Sequence, residues 1–554
     1  MKKWNRKLIV GGSALFVAGF LLMGLNNIDN KNFEIAKNLD IYFSLFRELN
    51  TFYVDEIDAG KLVKESIDDM LTSLDPYTTY IPESDIEDLR FMTTGEYGGI
   101  GALISKHGDE IMISEPYENF PAHKSGLRAG DVLLEVSGKS TAGMSTEDVS
   151  NLLKGSAGQE IKVKIKRYGE KKPLELNIVR EKIVIDPISY YGMLDDETGY
   201  IYLSNFTKDC GEKVKKTFLE LKEEKGAKKL ILDLRGNPGG LLMEAVNICN
   251  IFIPKDQEVV STKGKVSEWD KSYKTTGAPV DTLIPIAVIV NRGSASASEI
   301  VAGTIQDLDR GVIIGSRTFG KGLVQTTRDL SYNTKLKVTT AKYYIPSGRC
   351  IQALDYSHRN EDGSVGHIPD SLISEFSTRN GRKVYDGGGV VPDILVEEKS
   401  LSNLSVGLIT QFKMFDYATK FRTENAAIKS VGAFDINDSI YSDFVNYVEK
   451  SNFTYTSETQ EVLKELRESA KEEKYLDLAE EQIKALEKTL TPDLDRDLNR
   501  FREEISLLLK NEIIARYFYQ KGSTQATLET DDAVKKAKEI LANSADYKKT
   551  LLPK

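Results

Sequence analysis

Three closely spaced serines follow an apolar run near the middle of the chain. The run 286–290 has the composition of a buried strand, and Ser294, Ser296 and Ser298 open the helical pattern that follows. Serine often caps a helix, and Ser296 with Glu299 three positions later fits a capping box. A serine at the junction of a strand and a helix is also where hydrolases project a nucleophile into a cleft. The pattern therefore predicts capping by one serine and leaves nucleophilic chemistry open.

A lysine is the available base for such a serine. Serine is a weak nucleophile near neutral pH and needs a base, yet no histidine occurs between Ser204 and Asp355. Lys321 lies between two glycines, among apolar or uncharged residues that could desolvate its amine. Because only a neutral amine can accept the serine proton, a lowered pKa is a requirement of this hypothesis. Taken alone, Lys321 fits a surface cation or a phosphate contact better than a base.

A glycine-rich turn offers backbone N–H groups that could hold a negative charge. The mostly apolar run 230–234 leads into Arg-Gly-Asn-Pro-Gly-Gly and then into a helical stretch from Leu241 to Phe252. Gly239 and Gly240 would let a ligand approach the bare backbone at a helix start, where the helix dipole favours an anion. This arrangement is typical of an oxyanion hole. A turn that needs glycine only for its backbone angles is an equally good interpretation of the motif by itself.

Together these strings resemble the motifs of the carboxy-terminal processing peptidases, also called tail-specific proteases. The strings are DLRGNPGG at 233–240, GSASASE at 293–299, TFGKGLVQ at 318–325 and KYYIPSGR at 342–349. In that family the nucleophile is the middle serine and the base follows 25 positions later, which implies Ser296 and Lys321. The resemblance also implies that Gln325 orients the lysine, and that Ala297 and either Gly239 or Gly240 supply the oxyanion hole. It implies no cofactor and no metal.

The sequence pattern upstream of these motifs predicts a compact, mostly β module. Short apolar runs bounded by glycine occur at 101–105, 111–113 and 131–136. From about Gly98 to Arg167 the sequence resembles a PDZ domain, a module that adds an extended peptide to a sheet edge and holds its terminal carboxylate on backbone amides. The resemblance implies that Ile100, Gly101 and Ala102 contact that carboxylate.

The first residues predict export. Four basic residues precede the uncharged run 8–25, which is long enough to span a membrane and has no convincing cleavage site after it. An uncleaved anchor is therefore favoured over a cleaved signal peptide. The basic residues place the amino terminus in the cytoplasm and the remaining chain in the periplasm or an equivalent extracytoplasmic space.

Composition narrows the class of protein further. The 554 residues carry a formal charge of −10, which argues against a nucleic-acid partner. Cys210, Cys249 and Cys350 are too far apart for a zinc motif and predict buried structural thiols. The four histidines form no His-Glu-x-x-His pattern, so a zinc metallopeptidase is not indicated.

The sequence and the resemblance together predict an α/β core of the ClpP/crotonase-like peptidase fold, with a small β-rich PDZ domain and helical N- and C-terminal domains. The expected divisions are 1–27 signal peptide or anchor, 28–96 helical domain, 97–170 PDZ domain, 171–400 peptidase core and 401–554 helical domain. The tail beyond 400 departs from the short family pattern and could pack on the core, form a dimer surface or cover the cleft.

The predicted function is that of a serine endopeptidase with a Ser/Lys dyad that cleaves extracytoplasmic proteins near their C-termini after PDZ recognition of the tail. Expected partners are proteins with exposed C-terminal tails and the membrane through the N-terminal segment, and assembly into a homo-oligomer is left open. Two alternatives stay open. One is a catalytically silent PDZ adaptor for protein termini, and the other is an α/β esterase whose triad would use His358 or His367.

Overall fold

The structure is a computed structural model that describes residues 32–360 and 362–553. The proposed anchor at 8–25 lies outside the described residues. Within the described ranges, no helix is both long enough and apolar enough to cross a membrane. The chain divides into two compact units between Tyr80 and Ile81.

The first unit contributes two helices, α1 (32–52) and α2 (Ala59–Thr72). Asp58 caps α2 by accepting a hydrogen bond from the Lys61 N–H, which satisfies one of the unpaired donors at a helix start.

The PDZ region is an antiparallel sheet with two short helices. The segment that leads into it contains β1 (Thr79–Ile81), α3 (Ile86–Thr94) and β2 (Glu96–Gly99). The region itself contains β3 (Ala102–His107), β4 (Glu110–Pro116), α4 (Pro121–Lys124), β5 (Val132–Val136), β6 (Lys139–Ser140), α5 (Thr146–Leu153), β7 (Glu160–Lys166) and β8 (Leu174–Val179). The segment that leads out of it contains β9 (Glu181–Val184). The strand order is β3-β4-β5-β7-β8, with β6 on β5, so β3 is an edge strand. Ser145 and Asp148 form a capping box that fixes the start of α5.

The peptidase core alternates strands and helices. Its elements are β10 (Ile188–Met193), β11 (Thr198–Leu203), α6 (Cys210–Leu219), β12 (Lys229–Asp233), α7 (Leu242–Phe252), β13 (Glu258–Gly264), β14 (Lys271–Lys274), β15 (Ile286–Val290), α8 (Ala297–Asp307), β16 (Val312–Gly315), β17 (Leu323–Asp329), β18 (Lys335–Tyr344), β19 (Leu354–Arg359), β20 (Val365–His367), β21 (Glu375–Ser377), β22 (Lys383–Tyr385) and β23 (Ile394–Leu395). The main sheet has the order β10-β11-β12-β15-β16-β23, and β11 to β23 run parallel. A second sheet pairs β18 with β17 and with β13, and β13 with β14.

Each central strand of the main sheet buries both faces. Leu230 and Leu232 of β12 point to the face covered by α6, α7 and α8, while Ile231 points to the other face. Strands buried on both sides are nearly continuous apolar runs, which is why 230–234 and 286–290 read as strands in the sequence. Parallel strands end at one edge of a sheet, so the turns that follow β12 and β15 meet there.

The chain ends in a helical region. Its helices are α9 (Asn403–Thr410), α10 (Lys413–Glu424), α11 (Asp438–Lys450), α12 (Glu458–Glu472), α13 (Leu476–Leu490), α14 (Leu494–Arg500), α15 (Arg502–Leu528), α16 (Asp532–Ala542) and α17 (Ser544–Thr550). Phe415 of α10 packs against Met112 and Val132 of the PDZ sheet. The observed architecture agrees with the predicted fold class: an α/β core joined to a β-rich module and a helical C-terminal region.

The three cysteines are free thiols. Cys210 and Cys249 are buried as expected, whereas Cys350, which pairs with Tyr344 after the turn that follows β18, is only half-buried.

Helix α16 covers the second face of the main sheet. Val534, Ala537 and Leu541 are buried against a strand surface that includes Ile231 and Ile289. The helical tail is therefore part of the peptidase core and not only an appendage to it.

Replacing Ala537 by aspartate is expected to lower the free energy of unfolding of the peptidase core by about 3 kcal/mol or more, because an unpaired charge would be buried against the sheet. Ala542→Asp, at the exposed last residue of α16, is the matched control and should cost about 1 kcal/mol or less. Urea unfolding followed by circular dichroism would compare the two. Equal destabilisation would contradict the placement of α16.

Candidate active site

The turn between β15 and α8 presents Ser296 to a cleft. Ser296 has φ 55° and ψ −112°, a conformation that non-glycine residues rarely adopt and that concentrates at functional sites. The neighbouring hydroxyls are used inside the fold: Ser294 Oγ donates to Leu234 O at 2.7 Å, and Ser298 Oγ donates to Asn237 O at 2.9 Å. Both of those serines are fully buried, whereas Ser296 is half-buried on the cleft wall.

The glycine turn after β12 lies directly against Ser296. A Cβ atom added to Gly239 would lie 2.8 Å from Ser296 Cβ and 2.9 Å from Ala297 N, so a glycine is needed for this approach. The Gly239 N–H donates to Asn237 Oδ1 at 2.9 Å. Among the residues that the structure describes, the N–H groups of Gly240 and Ala297 donate to no protein acceptor. These two groups remain available to a ligand beside Ser296.

Asn237 ties the two turns to each other. Its side chain is fully buried and donates to Leu203 O at 2.9 Å, and its carbonyl accepts the Ala295 N–H at 3.0 Å. The backbone of the glycine turn is thereby held against the residue that precedes Ser296.

Glu299 joins the Ser296 turn to the Lys321 loop. Its fully buried carboxylate accepts the backbone N–H groups of Ser296 and Lys321, both at 2.9 Å. It also accepts the Gly320 N–H at 2.8 Å and the Thr318 hydroxyl at 2.5 Å. Burial raises the pKa of Glu299 to about 7, and the four donated hydrogen bonds oppose that rise. Its position as a helix cap is visible in the sequence, but its contacts with the lysine loop are not.

Tyr343 makes a second link between the same two segments. Its hydroxyl lies 2.6 Å from Lys321 O and 3.1 Å from Ser296 O, and the ring is 1% exposed. The tyrosine falls within the string 342–349, which gave no indication of this role.

A cleft of about 670 Å³ brings most of the predicted site residues together. Ser296, Lys321, Gln325, Gly239 and Gly240 all line it, and Ala297 lies next to Ser296 as the first residue of α8. The Gln325 side chain donates to Thr339 Oγ1 on the adjacent strand at 3.2 Å. Apolar side chains form much of the remaining wall: Leu89, Phe91, Met92, Leu241, Leu242, Ile300, Leu323 and Val324. Such a wall suits a ligand with a large apolar surface.

Comparison with known proteins adds independent information. The pattern of "Peptidase family S41" matches residues 197–357, that of a "PDZ domain" matches 112–167, and that of a "Probable PDZ-protease, C-terminal helical domain" matches 404–541. A carboxy-terminal-processing protease of Bartonella bacilliformis is 35% identical over 374 residues, which cover 67% of this chain and 83% of that protein. This chain belongs to peptidase family S41. It is a serine peptidase of the carboxy-terminal-processing kind and carries a PDZ domain.

Two further proteins align over more than half of this chain. A probable CtpA-like serine protease of Staphylococcus aureus strain COL is 31% identical over 458 residues, covering 80% of this chain and 83% of the relative. Among solved structures, a photosystem II D1 C-terminal processing protease is 30% identical, covers 64% of this chain and 92% of its own, and superposes with a TM-score of 0.35.

In this S41 peptidase the predicted PDZ contacts lie apart from the cleft. Ile100 is 3% exposed and its carbonyl accepts the Ala122 N–H at 2.7 Å. Gly101 has φ 73°, and Ala102 begins the edge strand β3. A Cβ atom added to Gly101 would lie 2.6 Å from Phe120 Cβ, which explains the glycine.

The histidines considered for an esterase triad do not line the cleft of the S41 peptidase. His358 is exposed on β19 and lies 2.7 Å from Asp355, and His367 is exposed at the end of β20. The family assignment and this placement both argue against the esterase hypothesis.

Proposed function

We propose that Ser296 is the nucleophile and Lys321 the general base of this S41 peptidase, with Gln325 positioning the lysine. The supporting observation is that one buried carboxylate, that of Glu299, binds the backbone of both Ser296 and Lys321 while both residues line one cleft. Fixed placement of a nucleophile and its base is what an activated serine requires.

The reaction follows from this placement. Lys321, as the neutral amine, accepts the Ser296 proton while Oγ forms a bond to the scissile carbonyl carbon. The carbon–nitrogen bond then breaks, and the lysine returns the proton to the leaving amine. Water hydrolyses the acyl-enzyme by the same route, with Lys321 accepting the water proton and restoring the Ser296 hydroxyl.

The oxyanion formed in both steps would be held by the N–H groups of Gly240 and Ala297. Gly240 is preferred to Gly239 because the Gly239 N–H already donates to the Asn237 side chain. Two preorganised backbone donors of this kind stabilise a developing negative charge by several kcal/mol, about 3 for a single donor.

The substrate is proposed to be an extracytoplasmic protein with an exposed C-terminal tail. The tail would extend the PDZ sheet along β3, with its carboxylate at Ile100, Gly101 and Ala102. The basic residues and the uncharged run 8–25 support an anchored protein whose body lies across the membrane.

The test compares cleavage and tail binding by the full chain and its Ser296→Ala variant. With an unfolded reporter protein, the variant should lose cleavage by about 10⁴-fold or more while its affinity for the tail is retained. Amidation of the reporter's C-terminus should weaken binding to both proteins. Retained cleavage by Ser296→Ala would remove the serine mechanism, and binding that ignores amidation would remove the proposed tail recognition.

A further inference from the structure

The charged side chains described along the cleft are all positive. Among the described residues that line it, two are lysines, Lys321 and Lys337, and none is an aspartate or glutamate. The mechanism uses Lys321, which leaves a second cation in the same cleft without an assigned role. Low-dielectric cleft walls strengthen the field of such a charge and favour an anionic group of the substrate.

Strand register places Lys337 two positions along the strand from Thr339, the hydrogen-bond partner of Gln325. In the β17–β18 hairpin, Gln325 is opposite Thr339 and Thr327 is opposite Lys337. Since the Gln325 and Thr339 side chains are hydrogen bonded, and side chains two positions apart share a face, Lys337 projects from the same face. One such step along a strand is about 7 Å, or roughly two residues of an extended peptide.

Lys337 has no anionic partner in the part of the chain that the structure describes. Its side chain is half-buried and no carboxylate lies within ion-pairing distance, whereas Lys335 on the same strand is paired with Asp329. Burial alone lowers the pKa of Lys337. An ammonium group that has lost part of its water and has no counter-charge is stabilised when an anion binds to it.

We propose that Lys337 binds a carboxylate of the substrate close to the scissile bond. This inference rests on the proposed function and gives the cleft a specificity that is separate from tail recognition by the PDZ domain. The carboxylate would be either the side chain of an acidic residue or the terminal carboxylate of a tail that ends within the cleft.

Two sets of quenched fluorescent peptides distinguish these sources. In the first, all peptides are amidated, and glutamate is compared with glutamine at each of three positions on either side of the scissile bond. In the second, the peptide ends one, two or three residues beyond the scissile bond, with a free or an amidated terminus. Each pair is measured with the full chain and with Lys337→Met, so that any contribution of the PDZ domain cancels between the two proteins.

The unaltered chain should prefer the carboxylate at one position by about 10- to 100-fold in kcat/KM, and Lys337→Met should lose that preference. Lys337→Glu should favour a lysine at that position, which a merely structural effect would not produce. Lys342→Met, on the exposed face of the same strand, should keep the original preference. The set in which the preference appears identifies the source of the carboxylate.

Two outcomes would overturn the inference. One is the same carboxylate preference in the unaltered chain and in Lys337→Met. The other is an equal loss of activity on acidic and neutral peptides, which would make Lys337 part of the chemistry or of the fold. If the unaltered chain cleaves no peptide, or if cleavage persists without Ser296, the proposed function itself fails. This result differs from failure of the Lys337 inference, in which the unaltered chain cleaves by Ser296 but Lys337→Met has the same carboxylate preference.

Discussion

Lys321→Met is expected to reduce kcat/KM for peptide cleavage by about 10⁴-fold or more. Methionine preserves most of the length and packing of the lysine but cannot accept the Ser296 proton. Among the described residues that line the cleft there is no histidine and no carboxylate side chain that could replace the amine. Initial rates with a quenched fluorescent peptide would measure the loss.

The control for this prediction is Lys342→Met, which removes an exposed lysine opposite Leu323 in the same hairpin. It should retain nearly full activity, and both variants should show the melting temperature of the unaltered chain to within a few degrees. If Lys321→Met still cleaves, the base is another group, and Lys337 would be the first to examine because it is the other lysine of the cleft.

The sequence predicted the fold because its strongest patterns are local. The run 286–290 is apolar at every position and 230–234 is apolar except at Asp233, a composition typical of strands buried on both faces. The PDZ and peptidase regions followed from such runs together with the family strings, and both are confirmed. The packing of α16 on the main sheet did not follow, because an amphipathic pattern predicts a helix without identifying its partner.

The candidate site also has a part that the sequence predicted and a part that it did not. The family spacing selected Ser296 from three serines, and the structure adds an independent reason, since the hydroxyls of Ser294 and Ser298 are bonded within the fold. The catalytic roles of Ser296 and Lys321 remain predictions. Lys337 was not singled out, because the face on which it projects depends on a hairpin register that contains an irregularity between Val324 and Gln325.

Glu299 shows most clearly what a linear pattern leaves out. In the sequence it completes a capping box with Ser296, and the structure retains the hydrogen bond from the Ser296 N–H. Its other three donors come from residues about twenty positions further along the chain. Contacts between distant segments depend on how the sheet edge is assembled, which no local pattern specifies.

Glu299→Gln is the second substitution with a large expected effect, about 100-fold or more in kcat. A carboxylate can accept all four hydrogen bonds, whereas glutamine has one acceptor oxygen and an amide that would face other donors. Buried donors left unpaired cost about 1–3 kcal/mol each, so the loops that carry Ser296 and Lys321 should shift to regain partners. A displacement of about 1 Å between reacting groups is enough for a loss of this size.

The pH dependence of kcat distinguishes the positioning role of Glu299 from a simple loss of stability in Glu299→Gln. Since burial raises the pKa of Glu299 to about 7, the carboxylate becomes protonated as the pH falls below neutrality and loses acceptor capacity. The kcat of the unaltered chain should therefore decline on the acid side of about pH 7. Stability should change in the opposite direction. A folded-state pKa above the ordinary value of 4.5 means that the contribution of this group is largest below pH 4.5 and is lost as the pH rises towards 7.

Measurement of kcat and of the melting temperature between pH 5.5 and pH 8.5 would test both parts. The acid decline in kcat should weaken in Glu299→Gln, because an amide does not titrate, and the part that remains would report protonation of the Lys321 amine. Glu244→Gln is the matched control: Glu244 is also buried, and it accepts the Gly211 N–H, a hydrogen bond that glutamine can keep. That variant should retain the acid decline, and a decline that persists unchanged in Glu299→Gln would assign it to another group. Weakening of the decline in the Glu299 variant alone would mean that one buried carboxylate, by holding two loops, sets the pH at which the nucleophile and its base are aligned.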